Sequence, residues 1–144
     1  MVAGIIFALT AGVLISIQGA MNSSINSKIG NLETVLLAHL LGLAAAIIAV
    51  IAFGNGDFRK INEVKPIYLI AGPLGVLIVY GVIHSISILG ASLSMALVLV
   101  AQLLIAVLID NFGLFGLKKI PFDITKFIGI AVMILGIIIF KIKK

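Results

Sequence analysis

Five apolar stretches take up nearly all of this chain, over residues 2–21, 34–53, 67–86, 94–109 and 124–140. A hydrocarbon core about 30 Å thick takes about 20 helical residues to cross, so each stretch is close to one membrane crossing. Strands of a membrane barrel would alternate apolar and polar residues over about ten positions. Residues 40–50 and 129–140 do not alternate. The stretches therefore predict helices, which satisfy their own backbone hydrogen bonds in lipid. The expected fold class is all-α: a polytopic membrane protein with five transmembrane helices.

Composition excludes a water-soluble reading. Only 10% of the residues are charged and 62% are hydrophobic, whereas a soluble domain carries about 25% charged residues. The first stretch lacks a basic leading region, is too long for a signal peptide and is followed by four more, so it is expected to be retained. No cysteine is present, which rules out disulfides and thiol–metal sites. The net charge of +5 lies in the connections and at Lys141, Lys143 and Lys144. Such residues meet anionic headgroups and bias orientation; no nucleic-acid partner is expected. The expected partner surface is the bilayer of the cell membrane.

Orientation is weakly encoded. Five crossings put Arg59, Lys60, Lys65, Lys118, Lys119 and Lys126 on one side, and Lys28, Lys141, Lys143 and Lys144 on the other. The excess of basic residues on the cytoplasmic side favours an inside N-terminus by a small margin. A single orientation with a modest bias and insertion in both directions both fit this count.

The connections are short, 22–33, 54–66, 84–93 and 111–123, so residues 1–144 are expected to form one integral membrane domain. Pro66 and Pro121 stand shortly before new spans, where a missing amide costs least. In the first span Gly4, Ala8, Gly12, Ser16, Ala20 and Ser24 recur every four residues. Rows of small side chains let helices approach closely in lipid, so this face is expected to pack. About 200° around the helix lie Thr10, Gln18, Asn22 and Asn26, a polar face expected to look into a cavity or another subunit. In the third span Gly72, Pro73 and Gly75 interrupt the apolar run. Proline here is expected to free the carbonyl of Leu69 and kink the helix. Such breaks mark a moving or binding element in transporters, or a static kink fitted to a tight bundle.

Polar residues inside the spans are the candidate site. Gln18 and Asn22 lie one turn apart, and Gln102 sits midway along the fourth span. They either contact a ligand or bond helices together, the latter worth about 1 kcal/mol each. His39, in the second span, could relay protons or serve as a neutral hydrogen-bonding group; His84 has a weaker claim. Glu33 suits the first turn of its helix. Asp110 ends an apolar helix, where its charge opposes the dipole; an ion pair, a boundary cap or a functional role would each explain it. Two lone histidines without matched carboxylates make no metal site. No catalytic constellation or phosphate-binding loop is present, so neither an enzyme nor a cofactor is expected.

The fourth-span region then becomes recognisable. Leu89-Gly90-Ala91, Ala101-Gln102-Leu103, Ile109-Asp110-Asn111-Phe112-Gly113-Leu114-Phe115-Gly116 and Phe127-Ile128-Gly129 resemble the YdcZ-like family of the drug/metabolite transporter (DMT) superfamily. The first span, with Gly12, Gln18, Asn22 and Asn26, resembles that family's Gln-x-x-x-Asn opening. The resemblance covers the whole chain. It implies a five-span unit that is half of a ten-helix, inverted-repeat-like transporter, paired as a homodimer or with a paralogous five-span chain. First, third and fourth spans would line its cavity. One departure matters: the small multidrug relatives carry a membrane glutamate in the first span, and this first span has none. Proton coupling by that route is not expected.

The residues and the resemblance together point to a secondary transporter subunit for a small polar or cationic metabolite. Gln18, Asn22 and Gln102 would bind substrate, with His39, Asp110 and Asn26 as proton-coupling or polar lining residues and Gly72, Pro73 and Gly75 as hinge. The alternatives are a dual-topology ion or small-solute channel, and a structural subunit that needs a sister chain.

Overall fold

A computed structural model describes residues 1–142, so Lys143 and Lys144 of the basic C-terminal group lie outside the described residues. All five expected crossings are helices: α1 (Val2–Ile29), α2 (Asn31–Phe53), α3 (Ala71–Leu89), α4 (Ala91–Phe112) and α5 (Ile124–Ile142). Short 3₁₀ segments occupy Phe58–Glu63, Pro66–Ile70 and Leu114–Gly116. There is no strand among the described residues. Each crossing is long and apolar enough to span a membrane when Pro66–Leu89 is taken as one.

Two connections expected as loops are helical. Residues 22–29 continue α1, and a single residue, Gly30, separates it from α2. Likewise only Gly90 separates α3 from α4. Gly30 has φ 96° and ψ 163°, and Gly90 has φ 79° and ψ 162°. This region of backbone space is essentially glycine's own, so a one-residue reversal is open to these two positions and closed to their neighbours. Four residues beyond each glycine a small hydroxyl residue is wholly buried: Thr34 and Ser94 are both 0% exposed. Their amides donate to the carbonyls of Gly30 (3.1 Å) and Gly90 (3.2 Å). Hydropathy sees the polarity of 22–29 but not its helicity, which explains the misplaced boundary.

Pro73 also differs from expectation. It does not kink a continuous α-helix, because α3 begins only at Ala71 and the preceding Pro66–Ile70 is 3₁₀. Pro73 thus stands in the first turn, where its missing N–H costs little. The interruption is a change of helix type just ahead of it. Pro73→Ala is expected to alter stability by under about 1 kcal/mol, against about 3 kcal/mol for a proline in mid-helix; the thermal midpoint of the purified protein measures it.

By internal contacts the chain divides into two compact units, the first Met1–Ser87 and the second from Ile88 onward. In the first, α1 packs on α2. Its buried residues (Gly19, Asn22, Thr34, Val35, Ile83 and Ile86) lie on the helix segments nearest Gly30 or at the end of α3. Residues 1–18 and 40–74 are exposed throughout. The first unit is therefore tied at one end and splayed at the other. In the second unit α4 packs on α5 around Val100, Val107 and Ile130.

The small-residue row of α1 does not face α2. Gly4, Ala8, Gly12, Ser16, Ala20 and Ser24 are all exposed, and a Cβ at Gly4 or Gly12 would meet nothing within 4 Å. The buried residues of α1, Gly19 and Asn22, lie outside that row.

Candidate functional site

A groove of about 690 Å³ runs between α1 and α2. Its α1 wall includes Ala11, Gln18 and Asn22, and its α2 wall includes Ala38 and Gly42. The small side chains of α2 keep the groove open, while Leu14, Ile15, Leu41 and others make the rest apolar. Gln18 and Asn22 supply its amides, as expected of residues one turn apart on a helix. Asn22 is buried, at 7% exposure, and Gln18 lies at the exposed edge.

Neither amide has a hydrogen-bond partner among the described residues, and neither does Gln102, eleven residues into α4 of the second unit. A few polar groups converging on an apolar concavity is the usual chemistry of a small-molecule site.

The other amides of this region are committed. Asn26 donates from Nδ2 to the Ser87 hydroxyl at 3.0 Å, and Ser87 donates to the Ile83 carbonyl at 2.9 Å. Asn31 donates from Nδ2 to the Tyr80 carbonyl at 3.3 Å, while its own carbonyl oxygen is buried without a partner. These bonds clasp α1 and α2 to the middle and the end of α3. Asn26, expected among the lining residues, is bonded to Ser87 in this structure. Asn31 and Ser87 were not singled out from sequence, and their partners, 49 and 61 residues away, leave no local signal.

His39 lies between α2 and α3. Its Nδ1 meets the Val35 carbonyl at 2.8 Å. A carbonyl only accepts, so that bond requires a proton on Nδ1. Its Nε2 would be 3.5 Å from a Cβ placed at Gly75, so the imidazole rests against the bare backbone of α3 three residues beyond Gly72. Sequence had named His39 and Gly75 separately, and the fold brings them together.

In the second unit the Asp110-Asn111-Phe112-Gly113 run builds a turn. Gly113 closes α4 in the left-handed region with φ 64° and ψ 40°. The Asp110 carbonyl accepts from the amides of Gly113 (3.3 Å) and Ile120 (2.9 Å), and Asn111 Oδ1 accepts from the Phe122 amide at 3.1 Å. The run folds the following segment back onto the helix end. The Asp110 side chain is not part of that turn. It lines a groove with Lys126, and among the described residues no ion pair joins them.

Five apolar helices and little charge between them define a multi-pass helical membrane protein. Residues 3–139 match the family model DMT_YdcZ, described as "Putative inner membrane exporter, YdcZ", and the chain belongs to that family of the DMT superfamily. It is accordingly a multi-pass protein of the inner (plasma) membrane. Neither the curated proteins nor the solved structures contain a match to it.

Proposed function

We propose that this chain is one subunit of a secondary transporter that exports a small polar or cationic metabolite by alternating access. The observation that carries the reading is the pair of unpartnered amides, Gln18 and Asn22, on the groove between α1 and α2. Membership of an exporter family supports it. Gln18 and Asn22 are the substrate contacts of the first unit. The Asn26–Ser87 and Asn31–Tyr80 bonds act as the closed gate of the first unit. The helix-type change ahead of Gly72 and Pro73, with His39 against Gly75, is the element that moves.

The subunit works as an antiparallel pair with a second copy or a paralogous five-span chain. The unpartnered small-residue row of α1 supports this, since such rows are where membrane helices approach closely, and so does the near balance of basic residues across the two sides. Catalysis has no place in this reading, and no cofactor or metal is invoked.

A thermal-shift screen over small polar and cationic metabolites, followed by counterflow in proteoliposomes with each hit, tests the proposal. Saturable exchange is the expected result. Fast, non-saturating flux would assign the groove to a channel, and an inert homodimer that gains activity beside a sister chain would assign it to a structural subunit.

A further inference from the structure

The second unit carries a groove whose chemistry the transport reading does not use. It lies between α4 and α5, has a volume of about 300 Å³, and is polar at one end only. Asp110 stands in the last turn of α4 and Lys126 in the first turn of α5. From there the groove passes the small residues Ala106 and Gly129 to Leu103 and Met133. Each of these last two is seven residues from its charged partner, about 10 Å along the helix. The groove thus begins at the membrane boundary with two opposite charges and runs into the hydrocarbon region with none.

Helix dipoles do not explain these charges. A carboxylate in a helix's last turn and an ammonium in the first turn each oppose the local partial charge. The start of α5 already has an acid at its cap, since Asp123 Oδ1 accepts from the Thr125 amide at 3.3 Å. Lys118 and Lys119 belong to the connecting segment. Asp110 and Lys126 share a groove yet form no ion pair among the described residues, so each is available to a group of opposite charge.

We propose that this groove binds one zwitterionic phospholipid of the ethanolamine type. Its ammonium meets Asp110, where the carboxylate and the C-terminal end of α4 both favour a cation. Its phosphate meets Lys126, and one acyl chain lies along Ala106 and Gly129 toward Leu103 and Met133. A primary ammonium donates hydrogen bonds to a carboxylate and a quaternary choline does not, which sets the order of preference.

Native mass spectrometry of the purified protein, taken from nanodiscs of mixed ethanolamine, glycerol and choline phospholipids, tests this. The wild type is expected to retain the ethanolamine lipid at least tenfold over either of the others. Asp110→Asn and Lys126→Gln should each remove that preference. Gly129→Leu keeps both charges but fills the groove, and should remove the retained lipid altogether; far-UV circular dichroism checks the fold of every variant. Equal retention of the glycerol lipid by the wild type, or an unchanged preference in all three variants, overturns the proposal. So does displacement of the lipid by soluble phosphoethanolamine at equal concentration, or a change of oligomeric state in Gly129→Leu with lipid retention intact, which would give the groove to another chain. The readout is lipid retention and does not depend on transport, so its failure leaves the α1–α2 groove untouched.

Discussion

Replacing Gln18 and Asn22 with alanine is expected to weaken apparent substrate affinity by about tenfold singly and about a hundredfold together, without loss of folded protein. A hydrogen bond contributes about 0.5–1.5 kcal/mol net, and the upper end of that range, about 1.4 kcal/mol, is a factor of ten. The two side chains sit one turn apart on the same groove wall, so the double variant can depart from additivity. Stability should hold because neither amide supports another residue: each lacks a partner among the described residues, so truncation leaves no buried group stranded. Asn26→Ala is the contrast, since it removes the bond to Ser87 and should register in thermal stability before it registers in affinity. Counterflow kinetics in proteoliposomes measures the first pair. Unaltered half-saturation in the double variant would remove both residues from the site.

The second large effect belongs to the one-residue turns. Gly90→Ala is expected to cost about 1–3 kcal/mol, the range for holding an ordinary residue in backbone space that glycine alone tolerates. Sterics have no share in it, because a Cβ at Gly90 would meet nothing within 4 Å. Gly30→Ala should cost at least as much, as its Cβ would also crowd the Glu33 carboxylate. Gly81→Ala is the control: it lies inside α3 with open space around it. Alanine there should be neutral or stabilising by up to about 1 kcal/mol. Size-exclusion recovery after graded heating in detergent reads all three, and equal loss at Gly81 and Gly90 would refute the backbone argument.

The five crossings were legible because hydropathy is a local property and lipid demands it of every span. Gln18 and Asn22 could be paired from spacing alone, since residues four apart share a helix face. The small row of α1 misled for the same reason: periodicity shows that a face exists but not what covers it, and the buried glycine of α1, Gly19, lies outside the row. The turns at Gly30 and Gly90 were hidden because residues 22–29 look like a polar loop. The repeated spacing from Gly30 to Thr34 and from Gly90 to Ser94 was the available signal. The clasp through Asn26, Asn31, Tyr80 and Ser87 joins residues far apart in the chain, and no spacing rule reaches that distance.

Closing two hairpins with one residue each leaves the extramembrane chain lopsided. Counted by crossings, residues 54–65 and 113–123 fall on the side of the membrane opposite the one-residue turns, and with them Arg59, Lys60, Lys65, Lys118 and Lys119. Trypsin added outside sealed vesicles would act as a compass. It would cut these sites in every copy, in none, or in half of them, and the last outcome is the signature of a protein inserted both ways up.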